Sequence, residues 1–224
     1  MLRNSFLVIF FLFFLGMSAQ NSTVDSLYLE DQFYLGLTYN TFGSLPSEMT
    51  QRNLPFGLQF GFIKDMPINE SRTVSIGVGL GYALNNYYSN LVATKENNVI
   101  SYSFADDDTD YKRSKIETHL VELPIEFRWR KSTPTDYKFL RIYGGVKLGY
   151  AFSARSKFIS DDLKESFSNK DIDKIRYGLQ FNMGYNTWNV HVYYGLNSLL
   201  DGATVNGEDL SLKPIRVGFN FYIL

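Results

Sequence analysis

From Gln32 onward apolar and polar residues alternate one by one, and the alternation starts afresh eight times. In TVSIGVGLGYAL, Val74, Ile76, Val78, Leu80, Tyr82 and Leu84 alternate with Ser75, Gly77, Gly79, Gly81 and Ala83. A period of two sends the two sets to opposite faces of a β-strand. The other seven segments are DQFYLGLTYNTF, LPFGLQFGFI, HLVELPIEFRWR, FLRIYGGVKLGYAF, IRYGLQFNMGY, TWNVHVYYGLNS and PIRVGFNFYIL. Each is about nine to twelve residues long, enough to cross a bilayer when tilted by about 45°. Helical periodicity of similar strength is absent from the chain.

The connections sort by length. The first, third, fifth and seventh are long and polar: GSLPSEMTQRN, the stretch 88–115, the stretch 155–174, and LLDGATVNGEDLS. The second, fourth and sixth are shorter: KDMPINESR, KSTPTDYK and the turn near Asn186. An up-and-down barrel with both termini in the periplasm requires this alternation of long outer loops and tight inner turns. The expected fold is all-β, an eight-stranded antiparallel transmembrane β-barrel.

In such a barrel the apolar phase faces lipid. That phase comprises Phe33, Leu35, Leu37 and Tyr39 on the first strand, Phe56 to Phe62 in steps of two on the second, and Leu123, Ile125, Phe127 and Trp129 on the fourth. None of these carries a charge, as lipid contact demands where a midplane Lys or Arg costs roughly 2 to 4 kcal/mol. Aromatic residues gather at the strand ends as two girdles. Tyr39, Phe56, Tyr82, Tyr150, Tyr177 and Tyr194 mark the outer rim, and Phe33, Phe62, Trp129, Tyr185, Trp188 and Phe221 the periplasmic one. Amphipathic rings settle at headgroup depth.

The opposite phase is polar and rich in glycine. An eight-stranded lumen is just wide enough to be filled by side chains, and small residues on some strands leave room for Glu122, Glu126, Arg128, Tyr143, Lys147, Arg176, His191, Tyr193 and Arg216 from others. This reading predicts a polar plug in which Glu126 pairs with a neighbouring cation. Cations outnumber acids on the surface so assigned, so Arg141 is expected to be solvated at the periplasmic mouth.

The first residues change the picture of location. Arg3, the apolar run FLVIFFLFFL and then GMSAQ follow the order of a secretory signal, with cleavage after Ser18 or Ala19. The run is about half the ~20 residues of an anchoring helix. The chain divides into a signal peptide at 1–19, a flexible segment at 20–31 and the barrel at 32–224. The absence of cysteine excludes a lipoprotein anchor and disulfide stapling. A formal net charge of −1 with scattered Lys and Arg removes the electrostatic footprint of a nucleic-acid binder.

Candidate chemistry is sparse. His119 and His191 are the only histidines, without the ligand spacing of a zinc site. The run DDDTD, Asp106 to Asp110, lacks the glycine and terminal Glu of a calcium loop and reads as a solvated outer loop. Glu122 and Glu126 share a strand face with arginines, which suits an ion network better than a glycosidase pair. No catalytic residue, metal or cofactor is expected. Pro124, inside a closed barrel, removes a ladder hydrogen bond and marks a bulge or a break in pairing.

The stretch HLVELPIEFRWRKSTPTDYKFLRIYGGVKLGYAFSARSK resembles the centre of the PorT-like family of Bacteroidetes outer-membrane β-barrels. The matching positions are Glu122, Leu123 and Pro124, then Arg128 and Trp129, then Gly144, Gly145, Gly149 and Tyr150. FGFIKDMPI and the closing FNFYIL also fit. The resemblance implies an outer-membrane barrel and an association with type IX secretion and gliding, with no catalytic residue to carry over. The expected function is a non-enzymatic accessory or structural barrel whose partners are outer-membrane lipid and secretion proteins. A narrow porin-like channel or small-molecule-binding barrel is the alternative, and an outer-membrane enzyme the third reading.

Overall fold

The computed structural model describes residues 30–43, 45–51, 53–105, 110–131, 139–161 and 163–223. The signal segment, Asp106 to Thr109 of the acidic run and all but the first residue of KSTPTDYK lie outside these. The described residues form β1 (Gln32–Phe42), β2 (Phe56–Pro67), β3 (Val74–Tyr88), β4 (Leu91–Glu96), β5 (Val99–Phe104), β6 (Tyr111–Arg130) and β7 (Leu140–Ser160). They continue with β8 (Lys164–Ser168), β9 (Ile175–Tyr185), β10 (Trp188–Gly195), β11 (Thr204–Val205), β12 (Glu208–Asp209) and β13 (Pro214–Ile223).

Eight of these close a barrel. β1, β2, β3, β6, β7, β9, β10 and β13 each pair antiparallel with the next, and β13 returns to β1. No strand edge of the barrel is left open, which is what a lipid environment demands of a sheet. The register runs from Thr41 through Ile215, Tyr194, Leu179, Val146, Ile125 and Val78 to Lys64. Lys64 lies one step beyond the Ile63–Gln32 pair, so the circuit returns to β1 at Asp31, a stagger of ten residues. Eight tilted strands with such a stagger enclose a lumen that side chains can fill.

The alternation seen in the sequence is the alternation of burial. On β1, Phe33, Leu35, Leu37 and Tyr39 point out while Gln32, Tyr34, Thr38 and Asn40 are buried inside. The outward band is apolar on every barrel strand until β2 reaches Lys64, at the periplasmic end, where its ammonium meets Asp31 at 2.6 Å. Trp188 packs edge-on against Phe221, ring centroids 4.6 Å apart, and Phe33 against Phe62 at 5.1 Å, within the periplasmic girdle. At the outer rim Phe60 and Tyr82 meet at 5.3 Å.

Two long connections are more ordered than the sequence suggested. Most of 88–115 is strand: β4 and β5 form a hairpin, and β6 begins at Tyr111 instead of His119. β7 likewise runs on to Ser160, beyond Phe152, where it pairs with β8. In these extensions the polarity of the alternation reverses. Ile116, Leu120 and Phe158 are buried inside, while Lys115, Glu117 and His119 lie on the outer wall. A strand that leaves lipid for water must present its charged phase outward, so the reversal near Leu120 and Ala151 marks the membrane's outer boundary. Pro124 marks a local break in pairing with β3 and not a bulge. Its register with Lys147 is continuous, and on the β3 side the same register holds on either side of a short gap in pairing; the irregularities of β6 fall at Tyr111/Arg113 and His119/Leu120.

The outer connections pack on one another. Phe42, Met49, Tyr87, Leu91, Ile116 and Ile172 join Leu199, Leu200, Val205, Leu210 and Leu212 in a single apolar cluster above the lumen. Asn90 fastens the first loop to the third: its Oδ1 accepts from the Thr50 N–H at 2.8 Å and its amide donates to the Glu48 carbonyl at 2.9 Å. β11 and β12 turn at Asn206 and Gly207, with φ of 53° and 83°, and the β4–β5 hairpin at Asn97 and Asn98, with φ of 47° and 67°. Two-residue hairpins want positive φ at both positions, which Asn and Gly supply.

Candidate functional site

The candidate site is the lumen, which three polar layers fill from the periplasmic mouth outward. The first is built around Asp65. The guanidinium of Arg130 meets it in a two-pronged bridge, both contacts at 2.8 Å, and Arg128 Nη1 donates to the same carboxylate at 3.2 Å. Ser75 Oγ donates to Asp65 at 2.6 Å. Arg128 also reaches Glu126 through Nε at 3.0 Å and Gln32 through Nη2 at 3.0 Å, and its plane lies 4.5 Å over the Tyr143 ring. Gly77 makes this possible, because a Cβ there would come within 2.7 Å of Arg128 Nε.

Glu30 closes the mouth. Its carboxylate stands 3.8 Å from both Arg130 and Arg141. Burial raises its pKa above the usual 4.5, against the pull of the two guanidiniums. Glu30, two residues ahead of β1, is 3% exposed. Arg141 is correspondingly not solvated. It is 2% exposed, donates to the Asn186 carbonyl and lies 4.5 Å over the Phe139 ring.

The middle layer consists of amides. Gln180 and Asn182 each donate to Glu126 Oε1 at 3.2 Å, and Asn220 donates to Asn182 Oδ1 at 2.9 Å. Gln59 donates to Asn220 Oδ1 at 2.7 Å and accepts from Lys147 Nζ at 2.9 Å. His191 Nδ1 contacts Asn182 Oδ1 at 2.7 Å, so His191 and Glu126 meet only through Asn182. The other histidine, His119, is on the outer wall, 2.6 Å from the Tyr82 hydroxyl.

The outer layer centres on Glu122. Arg216 Nη1 approaches it at 2.9 Å and Lys147 Nζ at 3.2 Å. Arg216 lies 3.9 Å over the Tyr193 ring, whose bulk is accommodated by Gly178 opposite. Arg176 donates to the carbonyls of Asn197 and Ser198 in the loop above. The apolar cluster then roofs the lumen.

The structure thus places Glu122, Glu126, Arg128, Tyr143, Lys147, Arg176, His191, Tyr193 and Arg216 in one buried interior. Tyr39, Phe56, Tyr82, Trp129, Tyr150, Tyr177, Tyr185, Trp188 and Tyr194 lie on the outward face. Sequence reasoning missed Glu30, Asp65 and Arg130. Extending the alternation of β2 two residues past Ile63 puts Asp65 inside, and the inward phase of Glu126 and Arg128 continues to Arg130. These acids bring the interior close to balance: six cations, Arg128, Arg130, Arg141, Lys147, Arg176 and Arg216, face Glu30, Asp65, Glu122 and Glu126 among the described residues.

A closed antiparallel barrel with an apolar outer band and a filled polar interior defines an outer-membrane β-barrel protein. The model of the outer membrane protein beta-barrel domain family matches residues 18–201, and the chain belongs to that family. The matched span ends before β13, which completes the barrel. No curated protein matches the sequence. One solved structure, described as "Asymmetric conductivity of engineered proteins", is 10% identical over 88% of this chain and all of that chain, at a TM-score of 0.21. Membership in the family sets the protein in the outer membrane.

Proposed function

We propose that the protein is a non-enzymatic, non-conducting barrel that holds a folded platform at the cell surface and serves as an accessory component of protein secretion. The observation that carries this is the roof. Four outer connections share one apolar cluster, to which the β4–β5 and β11–β12 hairpins contribute Leu91 and Val205. Loops that merely joined strands would need no common core, whereas a fixed platform lowers the ordering cost of meeting a partner. The resemblance to PorT-like barrels supplies the process, secretion of the type IX and gliding kind. Each lumenal acid is held by at least two partners, which favours structural over catalytic use.

Deletion of the gene followed by a survey of surface-exposed and released proteins tests the reading. Loss of a defined set of cargo proteins from the surface is the expected result. Unchanged cargo together with reduced uptake of small solutes would overturn it in favour of a channel.

A further inference from the structure

The lumenal charges balance in one half of the barrel and not in the other. Towards the periplasm Arg128, Arg130 and Arg141 face Glu30, Asp65 and Glu126. Towards the outside Lys147, Arg176 and Arg216 face Glu122 alone among the described residues. Glu122 already serves two of the three. Among the described residues Arg176 forms no ion pair and donates to the carbonyls of Asn197 and Ser198. The nearest acid along the chain, Asp173, lies half-buried in the loop above, its oxygens taken by the Asn197 amide at 2.7 Å and the Ile175 N–H at 3.0 Å. Buried charges are costly unless an opposite charge meets them.

The surplus surrounds a cavity. Its volume is about 20 Å³, and Glu122, Lys147, Arg176, Arg216 and Tyr193 line it beneath the roof residue Leu199. Such a space holds one water-sized group. Arg216 Nε and Glu122 Oε2, on two residues of that lining, are buried with no hydrogen-bond partner, although Lys147 Nζ stands 3.2 Å from the latter.

We propose that this cavity binds one small inorganic anion of halide size. The ion supplies negative charge where the barrel wall lacks it, accepts from the free Arg216 donor and gives Arg176 a counter-ion. The inference adds to the closed-lumen reading, yet the two fail separately: a conducting lumen passes current whether or not a halide is held.

The test uses the full mature chain refolded from urea into detergent in sodium chloride, sodium bromide or sodium gluconate at equal ionic strength. Refolding lets the ion enter before the barrel closes. Chloride and bromide should raise the melting temperature saturably, by roughly 3 to 6 °C at tenfold over the dissociation constant, and gluconate should not. Arg176→Gln should abolish the difference between salts. Bromide should give an anomalous scattering peak bounded by Lys147, Arg176 and Arg216, a readout on the wild type that stands even if the variant does not fold. Identical melting in all three salts, with an ordered water and no anomalous signal in the cavity, would overturn the proposal.

Discussion

Asp65→Asn removes the carboxylate that two buried arginines share. Asp65 and both guanidiniums are inaccessible to solvent, and the Arg130 bridge has two contacts of 2.8 Å. After the substitution Arg128 retains Glu126 at 3.0 Å, and among the described residues the carboxylate that Arg130 still faces is Glu30, at 3.8 Å. A buried pair broken from one side costs about 3 to 5 kcal/mol, since the remaining charge stays desolvated. One residue away, Lys64 and Asp31 form a pair with a shorter contact, 2.6 Å, yet with side chains 54% and 29% exposed. Discounted for solvent screening, that pair is worth about 0 to 1 kcal/mol. Reversible urea unfolding in detergent, followed by loss of the fast-migrating form on unheated gels, compares Asp65→Asn with Lys64→Met. For a denaturant slope of about 2 kcal/mol per molar, Asp65→Asn should lower the midpoint by roughly 1.5 to 2.5 M, and Lys64→Met by less than about 0.5 M. Equal midpoints for the two variants would refute the reasoning that burial, and not contact distance, sets the strength of these pairs.

Neighbouring glycines on β7 should respond unequally to alanine: a Cβ at Gly145 would strike the backbone of Ile125 and Glu126, whereas at Gly144 it would meet nothing closer than 3.9 Å. Gly145→Ala should cost about 1 to 3 kcal/mol and Gly144→Ala almost nothing in the same urea assay; equal effects would contradict the inward and outward assignment. Cysteines placed at Ile76, Val78 and Leu80 should be shielded from water-soluble maleimides, while those at Asn98 and Asn206 should label on intact cells, and the reverse pattern would invert the faces. Glu30 titrates at a higher pH in the folded barrel than in the unfolded chain, so its stability contribution is complete below the unfolded value near 4.5 and is lost as pH rises through the folded one. Melting curves of wild type and Glu30→Gln should therefore converge or cross on going from pH 4 to pH 8, and a gap widening in favour of wild type would oppose this sign.

Much of the barrel is legible because lipid enforces alternation: an outward Leu80 and an inward Gly81 differ by one residue and by one solvent. The extensions of β6 and β7 escape notice for the same reason reversed. In KRSKIETH the buried residues are Ser114, Ile116 and Thr118 and the outward ones include Lys115 and Glu117, so a pattern read for lipid contact stops at the membrane boundary. Asp65 and Glu30 were hidden by context, one inside an apparent turn and the other ahead of the first strand. The roof is less legible still, because Met49, Leu199 and Leu212 meet through tertiary packing that no local period records.

The central claim is that this interior is a plug. Purified protein reconstituted in planar bilayers measures it directly: the filled lumen and its apolar roof predict no steady conductance, whereas a stable, ion-selective open level in the wild-type protein would contradict the account.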